Sequence, residues 1–400
     1  MLPRIVMVSN YINHHQLPFC NAMYGRLGDN FIFIQTEPME EERVRMGWQI
    51  REEDVPYLRL SYSDREEAMR LIMDCDLLLA GWTEAEQMFR PRLKAGRLTL
   101  RVSERIYREG RWKFISPRGL IRKYMDHTRF RNSPAYLLCN GSYVAGDFNL
   151  IGAYPGKKYR FGYFPETRVF EDESELWEKK GIFNRVKIEH PEELPLTPPI
   201  LYDRPFEIVW AGRFMELKHP EYMIKLAADL VRAGFRFHIH MIGDGELKSR
   251  MEEYAEAELV AEYITMYGYK SPEEVRDIME NCHIHVFTSN RLEGWGAVVN
   301  EGMNAGLAEV VSGEAGCADY LIEDGVNGLI YRKDRYEDMR DRVISLMEDP
   351  EYMFRLGKAA YKTIVTEWNA ETAADRVIAF YEGHTNGRID IPASGPMSEA

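Results

Sequence analysis

The sequence predicts an α/β protein built from two doubly wound domains, and three observations carry that reading. Short apolar, β-branched runs alternate with amphipathic helical segments along most of the chain, the pattern of parallel sheets covered by helices. The alternation breaks once, over 166–205, where the acidic stretch EDESELWEKK is followed by Pro191, Pro195, Pro198, Pro199 and Pro205, the composition of a linker. Four hundred residues, 45% of them hydrophobic, suffice for two or three cores.

In the first domain, 1–165, the candidate strands are Ile5–Ser9, Phe31–Gln35, Asp76–Ala80, Leu98–Val102, Ala135–Cys139 and Tyr159–Tyr163. The second, 206–370, has the strands FEIVWAG, FRFHIHMIG, YITMYG, HIHVFTS, AEVVSG and GLIY. Met223, Leu226, Ala227 and Leu230 fall at helical spacing, as do Met339, Val343 and Leu346, so both stripes are expected in the core. A last helix over 371–383 is followed by small and polar residues, so 384–400 reads as a flexible tail.

Composition excludes several classes. With 29% charged residues, a mean hydropathy of −0.41 and no apolar run near the roughly 18 residues a membrane span needs, a soluble globular protein is expected. No signal peptide is visible before the first strand, which points to the cytoplasm. Cys20, Cys75, Cys139, Cys282 and Cys317 are scattered and never form C-x-x-C, so buried thiols are expected in place of disulfides or zinc. A net charge of −13 disfavours nucleic acid. Locally the balance reverses: 90–131 holds 14 Lys/Arg against 3 Asp/Glu, a net of +11. There Tyr107, Trp112, Phe114, Ile115, Leu120, Ile121 and Tyr124 interleave with the cations, a composition suited to an anionic membrane surface or to a solvated basic loop.

Ligands of open α/β sheets bind beyond the carboxyl ends of the strands, so the chemistry is sought there. Strand FEIVWAG ends in Gly212 and is followed by Arg213 and Lys218, two cations suited to a diphosphate. The Gly243-Asp244-Gly245 turn reads as wall. After HIHVFTS, the run TSNRLEGWGAVVNEGMNAG places Glu293 in a glycine-punctuated loop and Glu301 eight residues on, in a helix starting near Gly296. Backbone N–H groups at Gly296, Ala297 and Val298 would bind an anion, and eight helical residues would separate the carboxylates by about 12 Å. The lone D-x-D, Asp74-Cys75-Asp76, falls at a helix-to-strand junction and reads as structural. A dehydrogenase is disfavoured because no G-x-G-x-x-G follows the first strand.

These residues, with the G-R-x-x-x-x-K segment and YLIEDGVNGLIY, closely resemble glycosyltransferase family four, retaining enzymes of the GT-B fold with two Rossmann-like domains across a cleft. The resemblance covers 206 to about 383, and is carried in the first domain only by the strand pattern, CNGSYVAGDF and GYFPE. It implies a nucleotide-diphosphate sugar donor, UDP-linked by preference, held by the second domain, and a saccharide or lipid-linked acceptor on the first. No metal or other cofactor is implied. The resemblance makes Arg213 and Lys218 ligands of the diphosphate and Glu301 the ribose ligand. Glu293 would contact the transferred sugar, with the amides of Trp295, Gly296 and Ala297 on sugar and phosphate, and Tyr269 at the nucleobase. It also implies that the last helix crosses back onto the first domain. Where many relatives carry paired glycines after the first strand, this chain has Asn13, His14 and His15, and Glu104 stands where relatives place an acceptor-side polar residue. The implied function is retaining transfer in surface polysaccharide or glycolipid assembly, with a nucleotide-sugar epimerase or a silent nucleotide-sugar-binding protein as alternatives.

Overall fold

The computed structural model describes residues 2–41, 50, 52–110, 116–181, 204–332 and 335–400. The chain forms two compact units, one of 1–166 with 366–400 and one of 167–365.

The first unit is a parallel sheet of seven strands: β1 (Ile5–Ser9), β2 (Phe31–Gln35), β3 (Leu58–Leu60), β4 (Leu77–Ala80), β5 (Thr99–Ser103), β6 (Ala135–Asn140) and β7 (Lys158–Phe161), in the order β3-β2-β1-β4-β5-β6-β7. β1 and β2 are buried along their whole length, as strands covered on both faces must be, and are accordingly apolar without alternation. Ile5 lies beside both Phe31 and Leu77, so β1 is central. Sequence reading misses β3, whose Leu-Arg-Leu is only partly buried and too short for a periodic signal. The basic stretch is not all surface. Arg92 is buried and donates to the carbonyls of Ile72, Cys75 and Leu98, closing the end of the helix Arg65–Asp74. Arg101 and Tyr107 are buried as well.

The helix Ala370–Thr385 belongs to this unit, where Arg26 on the helix Leu17–Leu27 reaches Glu371 at 2.6 Å and Asp375 at 2.8 Å. The flexible tail expected over 384–400 is corrected at its end. Arg160 N–H donates to Ser398 O at 2.7 Å, Met397 N–H donates to Arg160 O at 2.8 Å, and the Met397 side chain is buried. β7 is a sheet edge whose unpaired backbone groups recruit this segment, and a polar composition conceals such pairing.

The second unit is a parallel sheet of β8 (Phe206–Ala211), β9 (Phe237–Ile242), β10 (Ile264–Met266), β11 (Ile284–Phe287), β12 (Ala308–Ser312) and β13 (Leu329–Tyr331), in the order β10-β9-β8-β11-β12-β13. Both predicted helical stripes lie in its core. The linker expected over 166–205 is corrected in its acidic part: Ser174–Lys179 is helical, and Leu176 and Trp177 pack on Tyr361 within this unit. The four prolines from 191 to 199 lie outside the described residues. All five cysteines are buried and unpaired with one another. Among the described residues no helix is long and apolar enough to cross a membrane.

Each sheet reverses its strand order once, between β1 and β4 in the first unit and between β8 and β11 in the second. At such a reversal the flanking loops diverge to opposite faces and leave a crevice at the carboxyl ends of the strands.

Candidate active site

Loops from both sides of the β8/β11 reversal converge on one ion pair. Lys218, on a single helical turn after β8, binds the Glu293 carboxylate from the loop after β11, and its ammonium lies 5.3 Å from the centre of the Phe287 ring. The lysine is held from behind: Trp210 Nε1 donates to the Thr288 hydroxyl at 2.8 Å, which in turn donates to the Lys218 carbonyl. Burial pushes the Glu293 carboxyl up, but the charges of Lys218 and Arg213 and the Lys218 hydrogen bond outweigh it and hold the group below its ordinary value. Arg213 is exposed at the same strand end.

Close backbone approach explains the glycines here. A Cβ on Gly243 (φ +133°) would stand 2.0 Å from the Gly212 oxygen, and one on Gly245 (φ +154°) 2.6 Å from the Phe214 oxygen. The turn read as wall is thus backbone packed on backbone. Gly212 itself is under no such constraint, its nearest neighbours being 3.6 Å away. Gly243 N–H donates to Gly268 O at 2.9 Å, bringing a third strand end alongside, and Tyr269 follows, 46% exposed.

Past Glu293 the chain enters the helix Ala297–Asn304 through Gly296 at φ +95°, where a Cβ would meet the Phe287 ring at 2.7 Å. The residue that precedes this helix is a glycine with no side chain to cap it, the arrangement in which first-turn N–H groups can receive an anion. Trp295 is buried, its indole donating to Asn300 Oδ1 at 2.8 Å, which leaves only its backbone to meet a ligand. Glu301 is half-buried in the second turn, its pKa raised to about 7 by burial against the opposing charges of Arg276 and His285. The eight helical residues expected between the carboxylates are corrected: Glu293 precedes the helix, and only the stretch from Gly296 to Glu301, a rise of about 7.5 Å, follows it.

In the first unit, Asn13 Oδ1 accepts from His15 N–H at 3.0 Å and its carbonyl accepts from Leu17 N–H at 2.9 Å, so Asn13 shapes the start of its own helix. The His14 and His15 rings stand 3.9 Å apart, and the His15 ring lies 6.1 Å from that of Tyr163. The Tyr163 hydroxyl donates to Glu104 Oε1 at 3.1 Å, joining two sites that sequence reading kept separate. Its only signal was its place in GYFPE. Within the basic stretch, the helix Pro117–Asp126 exposes Ile121, Tyr124 and Met125, whereas Trp112, Phe114 and Ile115 lie outside the described residues. Asp74-Cys75-Asp76 lies at the amino end of β4, away from the carboxyl ends where these loops gather.

Two doubly wound parallel sheets, one carrying a cation pair and an open helix N-terminus at its reversal point, define an α/β protein of the GT-B class. Residues 198–363 match the family described as glycosyl transferases group 1. The alpha-D-kanosaminyltransferase of Streptomyces kanamyceticus is 29% identical over 181 residues, 45% of this chain and 46% of that protein. An uncharacterized glycosyltransferase of Methanocaldococcus jannaschii is 29% identical over 150 residues, 38% and 40% of the two chains. The chain thus spans less than half the length of these curated relatives. In overall fold it resembles HepE of Anabaena, solved in complex with UDP, with a TM-score of 0.67 at 12% identity, covering 96% of this chain and 100% of that one. A glycosyltransferase of Rickettsia africae follows at 0.62 and 11%, covering 95% and 98%.

Proposed function

We propose that the protein is a retaining, metal-independent glycosyltransferase that moves a sugar from a nucleotide-diphosphate sugar to a saccharide or lipid-linked acceptor, in the assembly of surface polysaccharide or glycolipid. The observation that carries this reading is the Lys218–Glu293 pair beside the uncapped helix at Gly296. A sugar diphosphate needs cations and N–H donors at its phosphates and a carboxylate at its hydroxyls, and these residues supply all three. HepE was crystallised with UDP and with UDP-glucose, and UDP is the favoured nucleotide here too.

In the reaction the bond from the anomeric carbon to the β-phosphate oxygen breaks and one to the acceptor oxygen forms. The acceptor proton passes to the departing phosphate on the same face, so no dedicated base is required. Charge grows on that phosphate as the bond lengthens. A cation about 4 Å away contributes about 4 kcal/mol at an effective dielectric near 20, close to a thousandfold in rate. Lys218 and the helix N-terminus are fixed before the charge appears, which is what makes them effective. Glu293 accepts from a hydroxyl of the transferred sugar, Glu301 from the ribose, and Tyr269 borders the base. On the first unit, His14, His15, Glu104 and Tyr163 would meet the acceptor.

Peripheral contact with an anionic membrane through 90–131 belongs to the same proposal. Its support is the helix Pro117–Asp126, where exposed Ile121, Tyr124 and Met125 share a segment with Arg118 and Lys123. Sedimentation with vesicles of increasing anionic content tests it, and indifference to lipid charge would defeat it.

The donor reading is tested by thermal denaturation of the full chain with UDP-, GDP- and dTDP-sugars. A ligand at a hundred times its Kd stabilises by about 2.7 kcal/mol, so one nucleotide series should raise the Tm by several degrees. No response to any of the three overturns the proposal.

A further inference from the structure

The loop after β4, on the other side of the β1/β4 reversal from Asn13 and His14, is built more rigidly than its sequence requires. The Trp82 carbonyl accepts from Asn10 N–H at 2.8 Å and from the Ser9 hydroxyl at 3.1 Å. Thr83 Oγ1 lies 2.6 Å from Thr36 Oγ1 and donates to Glu37 Oε1 at 3.1 Å, and Glu84 N–H donates to the same carboxylate at 2.9 Å. The loop is therefore tied to the ends of β1 and β2. Yet the Trp82 side chain, among the costliest to leave in water, is 65% exposed. It borders a cavity of about 350 Å³ lined also by Glu84, Glu86, Gln87, Arg90 and Arg122.

The lining identifies what fits. An exposed indole carried on a tethered loop offers an apolar platform to a ligand that is itself flat and partly apolar. Around it stand planar groups that pair with hydroxyls: carboxylates, an amide and guanidinium forks. Their charges balance. Arg101 donates to Glu86 at 3.1 Å, and Arg90 donates to Asp126 at 2.7 Å with Arg122 3.6 Å from the same residue. Two carboxylates facing the cavity repel an anionic lipid headgroup, and the two guanidiniums repel a cationic ligand. An uncharged ring bearing hydroxyls suffers neither penalty.

We propose that this cavity is a saccharide subsite, in which an uncharged sugar ring of the acceptor stacks on Trp82 and gives its hydroxyls to Glu84, Gln87 and Arg122. The assignment of that ring to an acceptor rests on the transferase reading. The subsite makes the acceptor a glycan, and places its recognition at the reversal point of the first sheet, where open α/β sheets take ligands.

The test uses the full chain with fluorotryptophan at its seven tryptophans, read by fluorine NMR. The Trp82 signal is the one missing from Trp82→Phe. Maltotriose, cellotriose, chitotriose and mannotriose are titrated in turn, and phosphatidylglycerol vesicles separately. At least one trisaccharide should move the Trp82 signal, and calorimetry should find its Kd weakened roughly tenfold by Trp82→Ala and about threefold by Trp82→Phe. A signal moved by vesicles and by none of the trisaccharides overturns the subsite in favour of a membrane contact, and a signal moved by neither overturns it outright. The rise in Tm caused by UDP is recorded on the same protein. Its absence beside an intact trisaccharide response counts against the transferase reading alone, and its presence without that response counts against the subsite alone.

Discussion

The two sheets reverse their strand order in the same way, and the loops at the two reversals carry opposite chemistry. At β8/β11 the strand ends are rich in glycine, and the side chains are a lysine, an arginine and a carboxylate beside an open helix N-terminus. At β1/β4 the loop after the first strand has no glycine. Its Asn13 is spent on its own helix start, and the prominent groups are imidazoles and an exposed indole. One topology thus provides two crevices. Glycine at the first lets backbone pack on backbone around the charged groups, whereas the second presents side-chain rings and hydrogen-bonding edges. The difference teaches that topology locates a crevice and that side chains decide what enters it.

The largest expected effect lies at the charged reversal. Lys218→Ala should lower kcat by about 10² to 10³, the usual loss when one fixed donor to a developing anion is removed, with Glu293→Ala of similar size. The double variant His14→Ala/His15→Ala should instead raise the KM for acceptor and change kcat by less than about tenfold. Steady-state kinetics on the three proteins decide the matter, and a loss in kcat as large from the histidines as from Lys218 would break the contrast. The glycines sharpen it from the side of stability. Gly243→Ala should cost about 3 kcal/mol or more in urea denaturation, because its Cβ meets a backbone oxygen that cannot turn aside. Gly296→Ala should cost about 2 kcal/mol, since a ring can tilt, but should weaken donor binding more by shifting the helix start.

Much of this was legible before the fold was known. Uninterrupted apolar strands and helical stripes place both sheets and their cores, because burial on two faces leaves no choice of residue type. The cluster around Lys218 and Glu293 was legible because its members lie within short segments after two strands, β8 and β11. The Tyr163–Glu104 contact was not, since it joins loops 59 residues apart in sequence and Tyr163 does not stand out alone. The pairing of 397–400 on β7 was hidden too: it is made by backbone groups, which every sequence possesses. Nor does composition separate Arg92, which is buried on carbonyls, from Arg122, which is exposed.

Glu301 gives a smaller effect whose sign is fixed. Burial raises its pKa to about 7, so near pH 6 the free protein holds it protonated. Ribose hydroxyls donating to it favour the charged form, so donor binding at pH 6 should release protons and tighten by up to roughly tenfold between pH 6 and 8. Calorimetry in two buffers of different ionisation enthalpy measures the release, and Glu301→Gln should abolish it. For the fold the sign is opposite: stability from a carboxyl whose pKa is raised on folding is fully present below its ordinary value and is lost as pH climbs through about 7.

The smallest effect bears on the first unit, in the loops after β5 and β7. The Tyr163 hydroxyl donates one hydrogen bond to Glu104, and its ring stands 6.1 Å from that of His15. Tyr163→Phe keeps the ring and removes the hydroxyl, a loss of about 1 kcal/mol, so the KM for acceptor should rise about fivefold with kcat unchanged. A role limited to packing would leave KM untouched, since phenylalanine packs as well. If the variant lowered kcat at constant KM, the first unit would be stabilising the transition state. The separation between a crevice that drives the reaction and one that holds the acceptor would then fail.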